Sequence, residues 1–520
     1  MNDTPPCILV IFGASGDLAR LKLLPAIYEL AREKLLPEKF ALVGYSRTKM
    51  SDDDFRDRFR EAVEEGARTK GQGIDEGLLE SLVANTSYHP GQYDAAEDFK
   101  SLDAHLRKLD DDLGTAGNRL FYLSVPPNAF EPVLDNLGGR SMVRRGAAGS
   151  RNGNDGPWQR VVIEKPFGFD LASARELNGQ LLANFAEEQV FRIDHYLGKE
   201  TVQNLMVMRF ANSIFEPLFN HKYVEHVQIT VAEDNFADDR AGYYDKSGAT
   251  RDMVQNHIFQ LMSLIAMEPP VALDARSIRD EKVKVYRSIR PIRPERIKNQ
   301  TVRGQYTAGE LHGKTTPGYL GVEDVPDDSR TETFSALKLY IDNWRWDGTP
   351  FYVRTGKALP QKLTEVVVRF ASPPDTLFSK MCQSPLYPND LVINVSPSEG
   401  ISLRLNGKVP GGGMNVKQVA LDFLYEETFK KQPPEAYERL IYDAMLGDQA
   451  LFIRGDEAEA AWGVITPILE AWAEQDLKPE PYAPGTWGPK GAFSLIENDG
   501  RRWMHADGEE PEPIVACSIR

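Results

Sequence analysis

The first third of the chain alternates short, wholly apolar runs with amphipathic stretches, the pattern of buried parallel strands separated by helices. Ile8–Phe12 is the first run and Phe40–Tyr45 the second. Leu120–Val125 is stopped by Pro126 and Pro127, and Val161–Glu164 runs into Lys165 and Pro166. Apolar Leu18, Leu21, Ile27, Leu30 and Leu35 predict a helix from Leu18 to Lys34, with a kink or break at Pro25. These repeats predict an α/β domain with a doubly wound parallel sheet. Gly138–Pro157, rich in Gly, Arg, Ser and Asn, reads as a mobile surface loop and is assigned no function.

Beyond about residue 220 the pattern changes to short alternating runs: Val224–Val231, Phe334–Ile341, Phe351–Thr355, Glu365–Phe370, Leu391–Val395, Ile401–Leu405 and Val416–Tyr425. Turn clusters such as Pro410–Gly413 separate them, so a large antiparallel sheet is expected. Ala436–Trp472 returns to helical spacing, which makes the second region α+β. The expected domains are 1–193 and 194–520.

A chain of 520 residues is too long for one core, which agrees with two domains. Its formal net charge of -16 argues against general nucleic-acid binding or an anionic membrane surface as partner. An anionic substrate would then need positive charge gathered locally. Cys7, Cys382 and Cys517 are far apart and form no CxxC pair, as expected of a protein from a reducing compartment. The polar, acidic start does not read as a signal peptide, and no apolar run is long enough to span a bilayer, so a cytoplasmic protein is expected.

The first strand leads into Gly13, Ala14, Ser15, Gly16, Asp17 and Leu18 as a helix begins. Glycines there let the backbone approach a pyrophosphate, whose charge faces the helix N-terminus. The spacing is weaker evidence than G-x-G-x-x-G, but its place after the first strand favours a Rossmann-like dinucleotide-binding domain. The second strand ends not in an acid but in Ser46 and Arg47, a pair suited to the 2′-phosphate of NADP. The alternative, that Arg47 only solvates the strand end, stays open.

The densest polar cluster is Arg192–Glu200. His195 and Lys199, four apart at an expected helix start, would share a face suited to a phosphate; a capped helix with surface charges is the plainer reading. His257 begins an apolar helix and is expected to be partly buried. A lone histidine there is more often structural, although Asp252 in the same stretch raises the case for a base held by a carboxylate. Lys165 follows a strand end, where open parallel sheets face their ligands, and a cis bond to Pro166 would aim it.

At these residues the chain resembles the glucose-6-phosphate dehydrogenase family. Gly13–Ala19, Glu164–Gly168, Arg192–Glu200, Gln203–Leu205, Arg251–Asp252, Gln255–His257, Asp280–Lys284, Gly304–Tyr306, Arg345–Gly348, Gly356–Leu359 and Ala436–Leu440 all look like its hallmarks. The resemblance implies oxidation of glucose 6-phosphate at C1 to 6-phosphogluconolactone with NADP, the entry to the oxidative pentose phosphate pathway. It implies His257 as general base, Asp194 as the carboxylate supporting it, and Lys165 as the lysine bridging sugar and nicotinamide. It places His195, Tyr196 and Lys199 on the 6-phosphate, and Glu233, Asp252, Lys357 and Lys362 on the substrate. Tyr122 and Arg47 match cofactor positions.

No metal is expected, since removing the hydroxyl proton suffices to release a hydride. Some members hold a second, structural NADP. Arg354 is compatible with that, whereas Leu363 and Val367 stand where basic residues are expected, which argues against it. The family fold implies a homodimer through the large sheet, with a homotetramer as the alternative. A catalytically silent regulatory paralogue, or a dehydrogenase of another sugar phosphate, are the competing functions; a silent copy would be expected to lose His257, Asp194 or Lys199.

Overall fold

A computed structural model describes residues 4–139, 142–149, 156–238, 241–374, 378, 381–382, 384–411, 413–430, 434–505 and 514–517. The chain forms two compact units, one of residues 1–199, 271–279 and 434–459, the other of 200–270, 280–433 and 460–520.

The first unit is built on six parallel strands: β1 (Cys7–Phe12), β2 (Phe40–Ser46), β3 (Thr86–Pro90), β4 (Arg119–Leu123), β5 (Gln159–Ile163) and β6 (Val190–Ile193). Their order is β6-β5-β4-β1-β2-β3, with the short strand Phe452–Ile453 added antiparallel beyond β6. β1, β4 and β5 are buried along their whole length, which is why Ile8–Phe12, Leu120–Leu123 and Val161–Ile163 read as apolar runs, although Arg119, Gln159 and Arg160 at the starts of β4 and β5 are buried polar residues. The order reverses between β1 and β4, so the carboxyl ends of those strands open the crevice where such sheets bind ligands.

The helix expected over Leu18–Lys34 is in two parts. Ala19–Leu23 is a π-helical turn and Leu24–Arg32 an α-helix with Pro25 in its first turn. Proline has no N–H to donate and crowds the carbonyl of the preceding turn, so that turn widens instead of breaking. Of the Gly138–Pro157 loop, residues 140–141 and 150–155 lie outside the described residues. The rest is not a free loop: Met142 and Val143 are buried, and the guanidinium of Arg160 donates to the carbonyl of Ala148.

The second unit is built on β7 (Val224–Ala232), β8 (Thr301–Leu311), β9 (Lys314–Gly318), β10 (Phe334–Tyr340), β11 (Pro350–Gly356), β12 (Leu363–Phe370), β13 (Asp390–Ser396), β14 (Gly400–Lys408) and β15 (Val416–Leu424). The order is β15-β14-β13-β12-β7-β11-β10-β8, continued by Glu480–Tyr482. The sheet is mixed rather than purely antiparallel, because β7 pairs parallel with β11 and Glu480–Tyr482 parallel with β8. β11 arrives beside β7 only after β8, β9 and β10 have been laid down, a crossover that alternation within each strand does not reveal. Gly412, in the expected Pro410–Gly413 turn, lies outside the described residues.

Cys382 and Cys517 form a disulfide, 135 residues apart in sequence, against the expectation of a protein with reduced cysteines. The isolated bridge between Val416 and Val515 brings the two segments together. Cys7 is a buried free thiol.

Candidate active site

In the first unit, strand ends carry the candidate residues. The turn after β1 is held by the N–H groups of Gly13 and Ala14, which both donate to the carbonyl of Tyr45, at 2.8 and 3.3 Å. Gly13 has φ +85°, and a Cβ there would lie 2.1 Å from the carbonyl oxygen of Ser124 beyond β4, so only glycine fits. Helical structure begins at Asp17; since Gly13 and Ala14 donate to Tyr45 and Gly16 donates to the carbonyl of Gly13, the N–H groups suited to a phosphate at this turn are those of Ser15 and the first helical residues.

The end of β2 supplies hydroxyls to the same place. Ser15 Oγ lies 2.9 Å from Ser46 Oγ and 3.1 Å from Thr48 Oγ1, and Ser46 Oγ lies 2.8 Å from the hydroxyl of Tyr88. Arg47 is exposed, its guanidinium 5.3 Å from the ring centre of Tyr93. A backbone cradle that excludes a Cβ, next to clustered hydroxyls and an exposed guanidinium, fits a dinucleotide carrying an extra phosphate.

Tyr122, buried in β4, donates to Glu164 Oε1 at 2.5 Å. Lys165 follows Glu164 and is joined to Pro166 by a cis peptide bond. Asp194, 1% exposed, directly follows β6, and its carboxylate accepts from the N–H of Tyr196 at 2.9 Å. His195 to Lys199 do not begin a helix. They form consecutive tight turns, in which Leu197, Gly198 and Lys199 donate to the carbonyls of Asp194, His195 and Tyr196, and the helix starts only at Glu200. The Asp194 carboxylate accepts from the N–H two residues on, and the carbonyls of Asp194, His195 and Tyr196 are each taken by the N–H three residues on, so the chain closes tight turns before the helix at Glu200. His195 and Lys199 therefore share no helical face. Each contacts aromatic rings instead: Lys199 Nζ lies 4.8 Å from the ring centre of Tyr196, and His195 stacks on Tyr437 at 6.4 Å and 11°. Gly198 permits this, since a Cβ there would lie 2.7 Å from the carbonyl oxygen of Ala436.

In the second unit, Glu233 and Lys357 directly follow the parallel neighbours β7 and β11. Glu233 N–H donates to the carbonyl of Gly356, and Leu359 N–H returns to the carbonyl of Glu233. Ala358 accepts a positive φ of 54° to make this link. Lys357 Nζ donates to Glu233 Oε2 at 3.1 Å. Lys362 is exposed immediately before β12, whose first residue pairs with Ala232 at the end of β7. Tyr244 is buried beside this end; burial first, and then the charges of Glu233 and Asp252, hold its hydroxyl protonated.

His257 does not begin a helix. It lies inside one helical run, in the π-helical segment Thr250–Ile258 between Ala241–Ala249 and Phe259–Ala266. It is 1% exposed, more buried than its sequence implied, because this segment packs on β7 and β11. Asp252 lies earlier in the same segment, partly buried. Arg354 in β11 is fully buried, its guanidinium 4.8 Å from the ring centre of Trp487 and 4.3 Å from that of Trp503.

Residues 10–204 match the family model described as the NAD binding domain of glucose-6-phosphate dehydrogenase, and residues 206–504 match its C-terminal domain. This chain belongs to the glucose-6-phosphate dehydrogenase family. It is 46% identical over 498 residues to glucose-6-phosphate 1-dehydrogenase 2 of Mycobacterium tuberculosis, covering 96% of this chain and 94% of that one. It is 41% identical over 504 residues to glucose-6-phosphate 1-dehydrogenase of Bacillus subtilis, covering 97% and 99%. A solved glucose-6-phosphate dehydrogenase in complex with glucose 6-phosphate superimposes with a TM-score of 0.86 at 35% identity, covering 97% of this chain and all of that one. The Mycobacterium avium glucose-6-phosphate 1-dehydrogenase superimposes with a TM-score of 0.78 at 36% identity, covering 96% and 99%.

Three side chains of this glucose-6-phosphate dehydrogenase family member carry no signal of their role in the sequence. Glu164 and Tyr437 lie within quoted motifs, but nothing in their spacing shows that they meet. Tyr244 lies in no motif, and its only local signal is the pair Tyr243 and Tyr244 in a short helix.

Proposed function

We propose that this chain oxidises the C1 hydroxyl of glucose 6-phosphate to 6-phosphogluconolactone with NADP, the first step of the oxidative pentose phosphate pathway. The observation that carries the reading is the gathering of Gly13, Ser46, Lys165, Asp194 and His195 at the carboxyl ends of four parallel strands or the turns that follow them. NADP, when bound, supplies the acceptor for the C1 hydride.

The residues divide the remaining work. Gly13 to Leu18 hold the pyrophosphate against backbone N–H groups, while Ser46 and Arg47 bind the 2′-phosphate. Tyr122 lines the cofactor side. His257 takes the proton of the C1 hydroxyl, and Asp194 stabilises the base once it is charged. Lys165 serves sugar and cofactor together. His195, Tyr196 and Lys199 bind the 6-phosphate; Glu233, Asp252, Lys357 and Lys362 bind the rest of the sugar phosphate. Several cations around one dianion let a protein of net charge -16 hold an anionic substrate.

The test is NADPH absorbance on mixing the purified protein with NADP and glucose 6-phosphate, with other sugar phosphates in parallel. Turnover with another sugar phosphate and none with glucose 6-phosphate would reassign the substrate; none with any would point to a silent paralogue.

A homodimer is part of the same proposal. Ile401, Leu403 and Leu405 of β14 pair with Phe423, Leu421 and Val419 of β15, giving an apolar row on one sheet face. Leu421 is 60% and Val419 46% exposed, and a second copy of this chain presents the same self-complementary row. Light scattering of Leu421→Glu should give a monomer mass; a dimer mass unchanged would move the interface elsewhere. No helix among the described residues is long and apolar enough to cross a membrane. The proposed compartment is the cytoplasm, where NADP and sugar phosphates are held.

A further inference from the structure

Glu164 directly follows β5, sits partly buried, and is given no part in the reaction above. Its surroundings are those of a hub. Tyr122, from β4, donates to one carboxylate oxygen at 2.5 Å. Tyr437, from the helix Ala436–Leu446, is also hydrogen-bonded to the carboxylate. Lys165 and Asp194 are the charged groups that face it, one of each sign. Through Tyr437 the contact extends to His195, whose ring lies nearly parallel to the phenol, at 11°.

We infer that Glu164 is a positioning residue: by accepting hydrogen bonds from Tyr122 and Tyr437 it fixes the ammonium of Lys165 and the ring of His195 for the sugar phosphate. This rests on the reading that Lys165 and His195 touch substrate. A neutral side chain of the same shape keeps the packing and loses the arrangement. An amide cannot accept with both heavy atoms, so one tyrosine must turn its hydroxyl away, and Lys165 loses its counter-charge. A carboxylate beside Asp194 in a poorly solvated place is costly to keep, and stability alone gives no reason to retain it. Burial pushes its pKa up to about 7, with the hydrogen bonds of Tyr122 and Tyr437 and the charge of Lys165 opposing.

The sign of the stability effect follows from that direction. The folded state holds this proton more tightly than the unfolded chain. The group's contribution is therefore full at low pH and is lost as the pH rises toward about 7.

The experiment compares wild type, Glu164→Gln, Glu164→Asp, Tyr437→Phe and the Glu164→Gln/Tyr437→Phe pair, by steady-state kinetics from pH 6 to 9 and by Tm. At pH 8, Glu164→Gln should lower kcat/KM for glucose 6-phosphate about 10- to 100-fold, with Tm equal to or above wild type. The wild-type advantage should shrink as the pH falls through about 7, where Glu164 itself takes up a proton. Glu164→Asp should recover part of the loss, and the pair should be no worse than Glu164→Gln alone, since both act through one contact. Wild-type kcat/KM in Glu164→Gln, a loss that follows a fall in Tm, or losses that multiply in the pair would each overturn the proposal. Lys165→Ala is measured alongside. If it keeps wild-type kcat/KM, the site reading fails independently of Glu164.

Discussion

Lys357 donates to Glu233 across 3.1 Å, and both side chains leave the carboxyl ends of neighbouring parallel strands. Lys357 is nearly buried and lies 5.2 Å from the ring centre of Tyr244, so its charge is held in one place before any substrate arrives. A charge-assisted hydrogen bond to substrate is worth about 1.5–3 kcal/mol, so Lys357→Ala should raise KM for glucose 6-phosphate about 10- to 100-fold, with a smaller effect on kcat. Initial rates over a substrate series decide it; an unchanged KM removes Lys357 from the binding set.

Arg47→Ala should cut the preference for NADP over NAD at least about tenfold, since a guanidinium–phosphate contact is lost with one cofactor and absent with the other. The ratio of kcat/KM values for the two cofactors is the readout. Retention of the preference would assign it to the hydroxyl cluster of Ser15, Ser46 and Thr48 alone.

His257→Asn should lower kcat by about 10²–10⁴ and leave KM for the sugar phosphate nearly unchanged, because a base contributes to the transition state and little to the ground state. A near-normal kcat would show that another group takes the proton.

The histidine contribution to thermal stability should fall on acidification from about pH 7 to about pH 5, opposite in sign to that of Glu164. His89, His105 and His226 all have pKa values lowered chiefly by burial. A histidine that resists protonation when folded stabilises the fold above its folded pKa by an amount set by the shift. That contribution is full above its unfolded pKa and is lost as the pH falls below it, because the unfolded chain then binds the proton first. His105→Gln should therefore lose less Tm than wild type between about pH 7 and about pH 5, and an equal loss would show that His105 does not resist protonation in the fold.

Gly13→Ala should impair folding or abolish NADP binding, costing about 1–3 kcal/mol in backbone strain before the overlap with Ser124 is counted. Differential scanning fluorimetry with and without NADP separates the two effects; wild-type Tm with the usual NADP shift would mean the turn can move.

Four of the six parallel strands of the first unit were legible because burial on both faces leaves a continuous apolar run, as Leu9 and Val10 show, whereas β3, with Thr86, Ser87 and His89, carries no such run and β6 is only four residues long with Arg192 in it. The cradle at Gly13 was legible for a related reason: a turn that excludes side chains restricts its residue types. The helix assumed at His195 was not, since the choice between successive three-residue turns and a helical ladder after Asp194 depends on geometry that spacing does not carry. The π-helical segment around His257 shares the polarity pattern of an α-helix over so few residues. The pairings of Glu164 with Tyr437 and of Cys382 with Cys517 join residues far apart in the chain, and no local period records them.

Residues 434–459 complete the first unit, lending the strand Phe452–Ile453 to its sheet and the ring of Tyr437 to His195. During synthesis that unit must therefore wait, with the far edge of β6 unpaired, until most of the polypeptide has left the ribosome. An open strand edge held for so long favours association with other nascent chains, so expression of this protein should gain from chaperones that shield such edges.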